Sequence, residues 1–273
     1  MQHIFHPTDL GAGSETAFVH ALRIATLLRA QLTIMHVADE DQVEDVVLPG
    51  VRAHLARWGL LAHADDMAGL EALGVGVRKV VAGGSGTAGP IDACVRHIAT
   101  HPTDLIVLAT HQKADRIGWV QDRVAEPIAR ESGKPALFLP HDRPGFVHAQ
   151  SGVVRLRRIV VPVADASAAA PAVEAAARMA ALLADAPVTV HLLHVGEAAG
   201  APRPPTPAHP LVTWAHVTRT GAVDGTIVAV AGELEADLIV MRTKGHDGFL
   251  DVLRGTTTER VLRLAHCPVL AVV

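Results

Sequence analysis

Tyrosine is absent from the chain, and aromatic residues of every kind make up 3% of its 273 positions. Proteins that hold single-stranded nucleic acid stack bases on aromatic rings, so this composition argues against that class. A basic surplus is also missing. The formal net charge of −4 leaves nothing to displace counterions from a phosphate backbone. No run approaches the roughly 18 consecutive apolar residues of a membrane span. Met1-Gln-His-Ile-Phe-His-Pro7 lacks the charged-then-apolar layout of a signal peptide. No membrane or nucleic-acid partner is expected, and the expected location is the cytoplasm. The two cysteines, Cys94 and Cys267, show no CxxC or ribbon spacing and read as reduced, buried thiols. With no HExxH, no clustered carboxylate-histidine pattern, no Gly-x-Ser-x-Gly elbow and no kinase signature, neither a metal ligand nor a catalytic residue is assigned.

What the chain does contain is a repeat. Residues 104–139 recur without a gap at 237–272. Asp104-Leu-Ile-Val107 returns as Asp237-Leu-Ile-Val240, followed in step by Thr110/Thr243, Glu126/Glu259, Arg130/Arg263, Pro135/Pro268 and Leu137/Leu270. Between these anchors only the later copy carries Gly245, Gly248 and Gly255-Thr256, where the earlier has Gln112, Asp115 and Asp122-Arg123. The length suits two domains, over 1–140 and 156–273. Pro, Gly and polar residues without periodicity mark 141–155 as a linker.

Each half alternates short Val/Ile/Leu runs with amphipathic helices, the pattern of a parallel sheet covered on both faces. In the first half, strands are expected at 3–7, 31–37, 75–81, 104–109 and 135–139. Helices are expected from Ser14, over 44–73 with a break at Pro49-Gly50, over 90–100 and near 119–131. The second half restarts at 157–163, with a helix over 168–184 and a strand over 187–195. The proline-rich run Ala201–Pro210 replaces a helix, because such a run cannot be helical. That replacement predicts a bare stretch of sheet face, covered by the sister domain or by another chain.

The segment from Met241 to Val261 follows a buried strand and opens a helix. Glycine lets the backbone approach a phosphate, and helix N-terminal amides with the Thr256 and Thr257 hydroxyls supply donors for an anion. Nine residues between Gly245 and Gly255 suffice for a lobe over a ligand. Together with Pro162-Val-Ala-Asp165, His194-Val195 and Cys267-Pro-Val-Leu270, and in the first half Pro7-Thr8-Asp9 and His36-Val37, the pattern resembles two UspA-type domains of the universal stress protein family in tandem.

The resemblance implies an α/β fold: two open five-stranded parallel-sheet domains, Rossmann-like and of the adenine nucleotide alpha hydrolase type, forming a pseudo-dimer. The last strands, 135–139 and 268–273, would pair antiparallel. A homodimer is the further option. It implies ATP or another adenine nucleotide in the second domain, with Val163, Asp165 and Val195 at the nucleoside. Gly245, His246, Gly248, Gly255, Thr256 and Thr257 would lie at the phosphates, with Arg242 at their entrance. Mg²⁺ or Arg254 would offset the charge of Asp251. Asp9 and Val37 mark a degenerate second site without a phosphate cradle. Two rivals stay open: a nucleotide-free scaffold or signalling module, and a weak ATPase or autophosphorylating protein. Of the 17 histidines, His36 and His194 end equivalent strands and read as structural. The glycine run Gly83–Gly89 reads as a strand-to-helix connection.

Overall fold

The structure is a computed structural model that describes residues 1–11, 13–83, 89–110, 124–243 and 257–273, with the backbone alone at 40 and 41. Two compact units divide the chain, Met1–Val153 and Val154–Val273.

The first unit runs β1 (His3–Pro7), α1 (Ser14–Leu28), β2 (Gln31–Ala38), α2 (Val51–Arg57), α3 (Met67–Leu73), β3 (Gly76–Gly83), α4 (Pro90–Thr100), β4 (Leu105–Thr110), α5 (Ala125–Ser132) and β5 (Ala136–Pro140). Its strands lie in the order β3-β2-β1-β4-β5 and every described pairing is parallel. Leu105, Ile106, Val107 and Leu108 are all buried, as a central strand covered on both faces requires. One face, with Ile4 and His6, meets α1; on the other, Phe5 stacks on His97 of α4 with ring centroids 5.4 Å apart.

The second unit runs β6 (Arg158–Pro162), α6 (Ala166–Leu183), β7 (Val188–Val195), β8 (Val212–Arg219), α7 (Val223–Glu233), β9 (Leu238–Arg242), α8 (Thr257–Leu264) and β10 (Val269–Val272). Its strands lie in the order β10-β9-β6-β7-β8, again parallel throughout the described pairings.

The duplication reaches single hydrogen bonds. The Asp104 carboxylate accepts the amides of Gln2 and His3 at 2.6 and 3.0 Å, and Asp237 accepts those of Arg157 and Arg158 at 2.7 and 2.9 Å. Each Asp before the Leu-Ile-Val run thus ties the start of its unit's first strand to the sheet. Burial alone would raise the Asp104 pKa, but donation from Gln2 and His3 outweighs it and the pKa is lowered. Likewise the Thr110 hydroxyl donates to Leu139 O at 3.3 Å, and Thr243 to Val272 O at 3.1 Å.

Three expectations change. The 44–73 helix is two short helices, α2 and α3, separated by Trp58–Asp66. Gly59 turns the chain there with φ +70°, and the Asp66 carboxylate caps α3 by accepting Gly69 N at 2.8 Å. Residues 141–153, read as linker, belong to the first unit: Phe146 and Val147 are buried, and Trp58 Nε1 donates to Ala149 O at 2.8 Å. The run 201–210 folds back on its own sheet, burying Pro204 and presenting Pro207 O to Trp214 Nε1 at 3.1 Å. That contact ties the run to β8 of its own unit.

Acid should strike the two units unequally. His6 is fully buried, with Nδ1 donating to Val107 O at 2.9 Å, and burial lowers its pKa from 6.5 to about 4. A lowered histidine pKa means stability that is complete above pH 6.5 and lost as pH falls toward 4. In β6 the same position is the apolar Val161, because Ile4 and Ile159 share their register against Leu105 and Leu238. Between pH 6.5 and 4.5, hydrogen exchange of β1 amides should therefore lose protection faster than that of β6, by on the order of 1 kcal/mol per pH unit. Equal loss in both strands would contradict this account.

Candidate functional site

In an open α/β sheet the space beyond the carboxyl ends of the strands, where strand order reverses, is the natural ligand position. In the first unit the reversal falls between β1 and β4. There the ends of β1, β2 and β4 join α4 and α5 around a cleft of about 200 Å³. Asp9 and Ser14 stand at its polar side, and Val37, Cys94, Leu108 and Ile128 are among its apolar walls. The Asp9 carboxylate accepts Gly11 N at 2.9 Å and the Ser14 hydroxyl, so it closes the turn into α1. Burial pushes the Cys94 thiol up to about 12, which leaves it protonated and a poor nucleophile. Cys267 is pushed up to about 12 as well, by burial and the nearby Asp237.

The β1 extension is held the same way in both units. Thr8 N donates to Met35 O at 2.9 Å and His36 Nδ1 donates back to Thr8 O at 2.8 Å. In the second unit Val163 N donates to Leu193 O at 2.8 Å, and His194 Nδ1 donates to Val163 O at 3.0 Å. These two histidines fix the backbone at the cleft's edge by using one ring nitrogen each as a donor to a carbonyl.

The repeat carries the cleft's frame into the second unit. Thr8, Val37, Ala109 and Val124, all lining the first cleft, correspond to Val163, Val195, Arg242 and Thr257. The same frame therefore changes chemistry: alanine becomes arginine at the end of β9, and valine becomes threonine at the start of α8. Arg242 is exposed and Val163 buried; Val195 and Thr257 are half-buried. Asp165 sits one residue later than Asp9 in this frame and caps α6, accepting Ala168 N at 2.8 Å and the Ser167 hydroxyl at 2.7 Å. Those donations lower its pKa, the amide of Ala168 contributing most. Gly245, His246, Gly248, Asp251, Arg254, Gly255 and Thr256 lie outside the described residues.

Sequence reasoning named Asp9 and Val37 at the first cleft but missed Ser14, Cys94, Ala109 and Val124. The last two were within reach, since the repeat already aligned them with Arg242 and Thr257. Among the described residues no group of three or more His, Cys, Asp or Glu is placed to hold a metal ion. None of the described helices is long and apolar enough to cross a membrane.

Comparison with known proteins agrees with this geometry. The sequence matches the universal stress protein family over residues 1–140 and 207–273. A universal stress protein of Methanocaldococcus jannaschii is 43% identical over 63 residues, covering 22% of this chain and 37% of that protein. A universal stress protein A homolog of Coxiella burnetii is 44% identical over 55 residues, 20% of this chain and 38% of its own length. The chain thus spans less than half the length of these curated relatives. Among solved structures, a universal stress protein from Archaeoglobus fulgidus superposes with a TM-score of 0.61 at 16% identity, covering 99% of this chain and 95% of that one. The cytoplasmic domain of a prokaryotic cation chloride cotransporter reaches 0.52 at 12% identity, covering 99% and 94%. At these identities the likeness is one of fold.

Proposed function

Because this chain belongs to the universal stress protein family, we propose that it binds an adenine nucleotide in its second unit and acts as a binding protein rather than an enzyme. The observation that carries this reading is the exchange within one frame: Arg242 and Thr257 stand where the first cleft is lined by Ala109 and Val124. A guanidinium and a hydroxyl at the start of a helix are the donors an anionic group needs. Glycine at 245 and 255 is the residue type that would let a phosphate meet the backbone. Val163 and Val195 would flank the nucleoside, and Mg²⁺ would enter with the nucleotide's own phosphates.

A second reading concerns the first unit. Its cleft is small and mostly apolar, and a carboxylate stands at its polar side, so it suits an uncharged ring of nucleobase size better than a phosphate ester.

Calorimetric titration tests the main reading. ATP should bind, and Arg242→Ala should weaken it about tenfold to hundredfold, the worth of one charge-assisted hydrogen bond, while leaving adenosine unchanged. Tighter ATP binding in that variant would mean that Arg242 obstructs the site, which favours a nucleotide-free scaffold.

A further inference from the structure

The stretch after β5 is seated on α1 through one histidine. His20 is fully buried, and both of its ring nitrogens are used. Nδ1 donates to Thr16 O at 2.7 Å, which fixes the tautomer and leaves Nε2 with its lone pair. That lone pair accepts two main-chain amides at once, Phe146 N and Val147 N, each at 3.0 Å. The Phe146 ring stands edge-on to the imidazole with centroids 4.6 Å apart. Gly145 makes the approach feasible: its φ is +66°, and a Cβ there would lie 2.4 Å from Nε2. The sequence between Pro140 and Val154 is therefore fitted to a neutral imidazole.

We propose that His20 is a proton-operated latch on residues 141–153: a proton taken from solvent at Nε2 converts the shared acceptor into a donor facing two donors, and the Phe146 and Val147 amides let go. Trp58 holds the later part of the segment separately, through Ala149 O and the close approach of Gly152, so the latch acts on the stretch around Phe146 and Val147.

Two other imidazoles border α1: His6 of β1 beside Phe18, with ring centroids 6.2 Å apart, and His141 of the segment against Gly13. On α1 the charged residues are Glu15 and Arg23, with Arg29 at its C-cap, and Glu15 meets His54 at 3.9 Å. Strand β5, which contributes Leu139, carries no titratable residue. On the segment itself His141, Asp142 and Arg143 are exposed, and His148 pairs with the Ser151 hydroxyl at 3.0 Å. The ring's hydrogen bonds go only to Thr16, Phe146 and Val147 among the described residues.

Burial lowers the His20 pKa from 6.5 to about 4, outweighing the bond to Thr16. A released His20 regains an ordinary value, so protons favour the open form between those limits. Stability of the closed form is complete above pH 6.5 and falls as pH drops toward 4. The opening equilibrium should rise about tenfold per pH unit across that window, roughly 300-fold in all.

The test is hydrogen exchange on the full chain from pH 7 to 4.5, corrected for intrinsic exchange, with β6 amides as the reference, since Val161 stands there at the position of His6. Peptides covering 144–148 should lose protection about tenfold per pH unit below 6.5, and more steeply than β6. His20→Gln, whose carboxamide oxygen accepts but does not titrate, should flatten that slope, while His148→Asn should keep it. A flat slope in the unaltered protein, or an unchanged one in His20→Gln, overturns the latch. Should His20→Gln fail to fold, nitrogen-15 NMR of the unaltered protein decides. The ring must carry its proton on Nδ1, and the Phe146 and Val147 amide shifts must move with its titration; amides that ignore the titration overturn it.

Discussion

Replacing Asp237 with alanine should destabilise the second unit by about 2–3 kcal/mol, far beyond the ±0.5 kcal/mol of an ordinary surface change. The carboxylate is half-buried and accepts the amides of both Arg157 and Arg158 at the head of β6. Removing it leaves two backbone donors without an anion beside the central strand pair β6–β9. Hydrogen bonds to a charged group are each worth about 1.5–3 kcal/mol, and water recovers part of that at a half-buried site. Asp237→Asn keeps one acceptor oxygen without charge and should cost about half as much. Asp104→Ala should cost less than Asp237→Ala, because Asp104 is exposed and water reaches its amides more easily. Urea unfolding of the three variants checks the order. Equal, small losses at both positions would show that the repeated aspartates are incidental to stability.

Gly152→Val should destabilise the first unit by about 3 kcal/mol or more. Two costs add at this position. The backbone is left-handed, φ +66°, which a β-branched residue adopts only under strain of about 1–3 kcal/mol. The new Cβ would also lie 2.6 Å from Trp58 Cδ2 and 2.8 Å from Cγ, inside a ring whose Nε1 is committed to Ala149 O. Overpacking of this kind typically adds about 1–3 kcal/mol. Gly59→Val separates the two costs, since Gly59 has φ +70° and open space where its Cβ would go. Unfolding free energies should place Gly59→Val well above Gly152→Val in stability. If the two variants matched, packing of residues 141–153 on Trp58 would contribute nothing.

The order of strands and helices was legible in the sequence because buried parallel strands are written as local runs. Asp104–Val107 and Asp237–Val240 announce the two central strands, and the shared spacing of Thr110 and Thr243 announces their ends. The place of the first unit's cleft was legible for the same reason, at the ends of such strands. What the sequence hid are bonds between distant residues. Nothing near His20 signals Phe146 and Val147, and nothing near Trp58 signals Ala149. A Pro/Gly-rich stretch without periodicity looks like a linker whether or not a buried acceptor is waiting for it. That Asp165 caps α6 goes with a single inserted residue, Ala164, relative to Pro7-Thr8-Asp9. Its effect on direction shows only once the helix start is in place.

On the proposed function, one half of the duplicated chain carries the anion site. Equilibrium dialysis with labelled ATP on the full chain, run beside Gly255→Asp and Asp9→Ala, decides between the two halves. The expected result is one ATP per chain, abolished by the aspartate placed in the second unit's glycine pair and retained when Asp9 is removed. No binding at millimolar ATP, or binding lost only with Asp9→Ala, would contradict it.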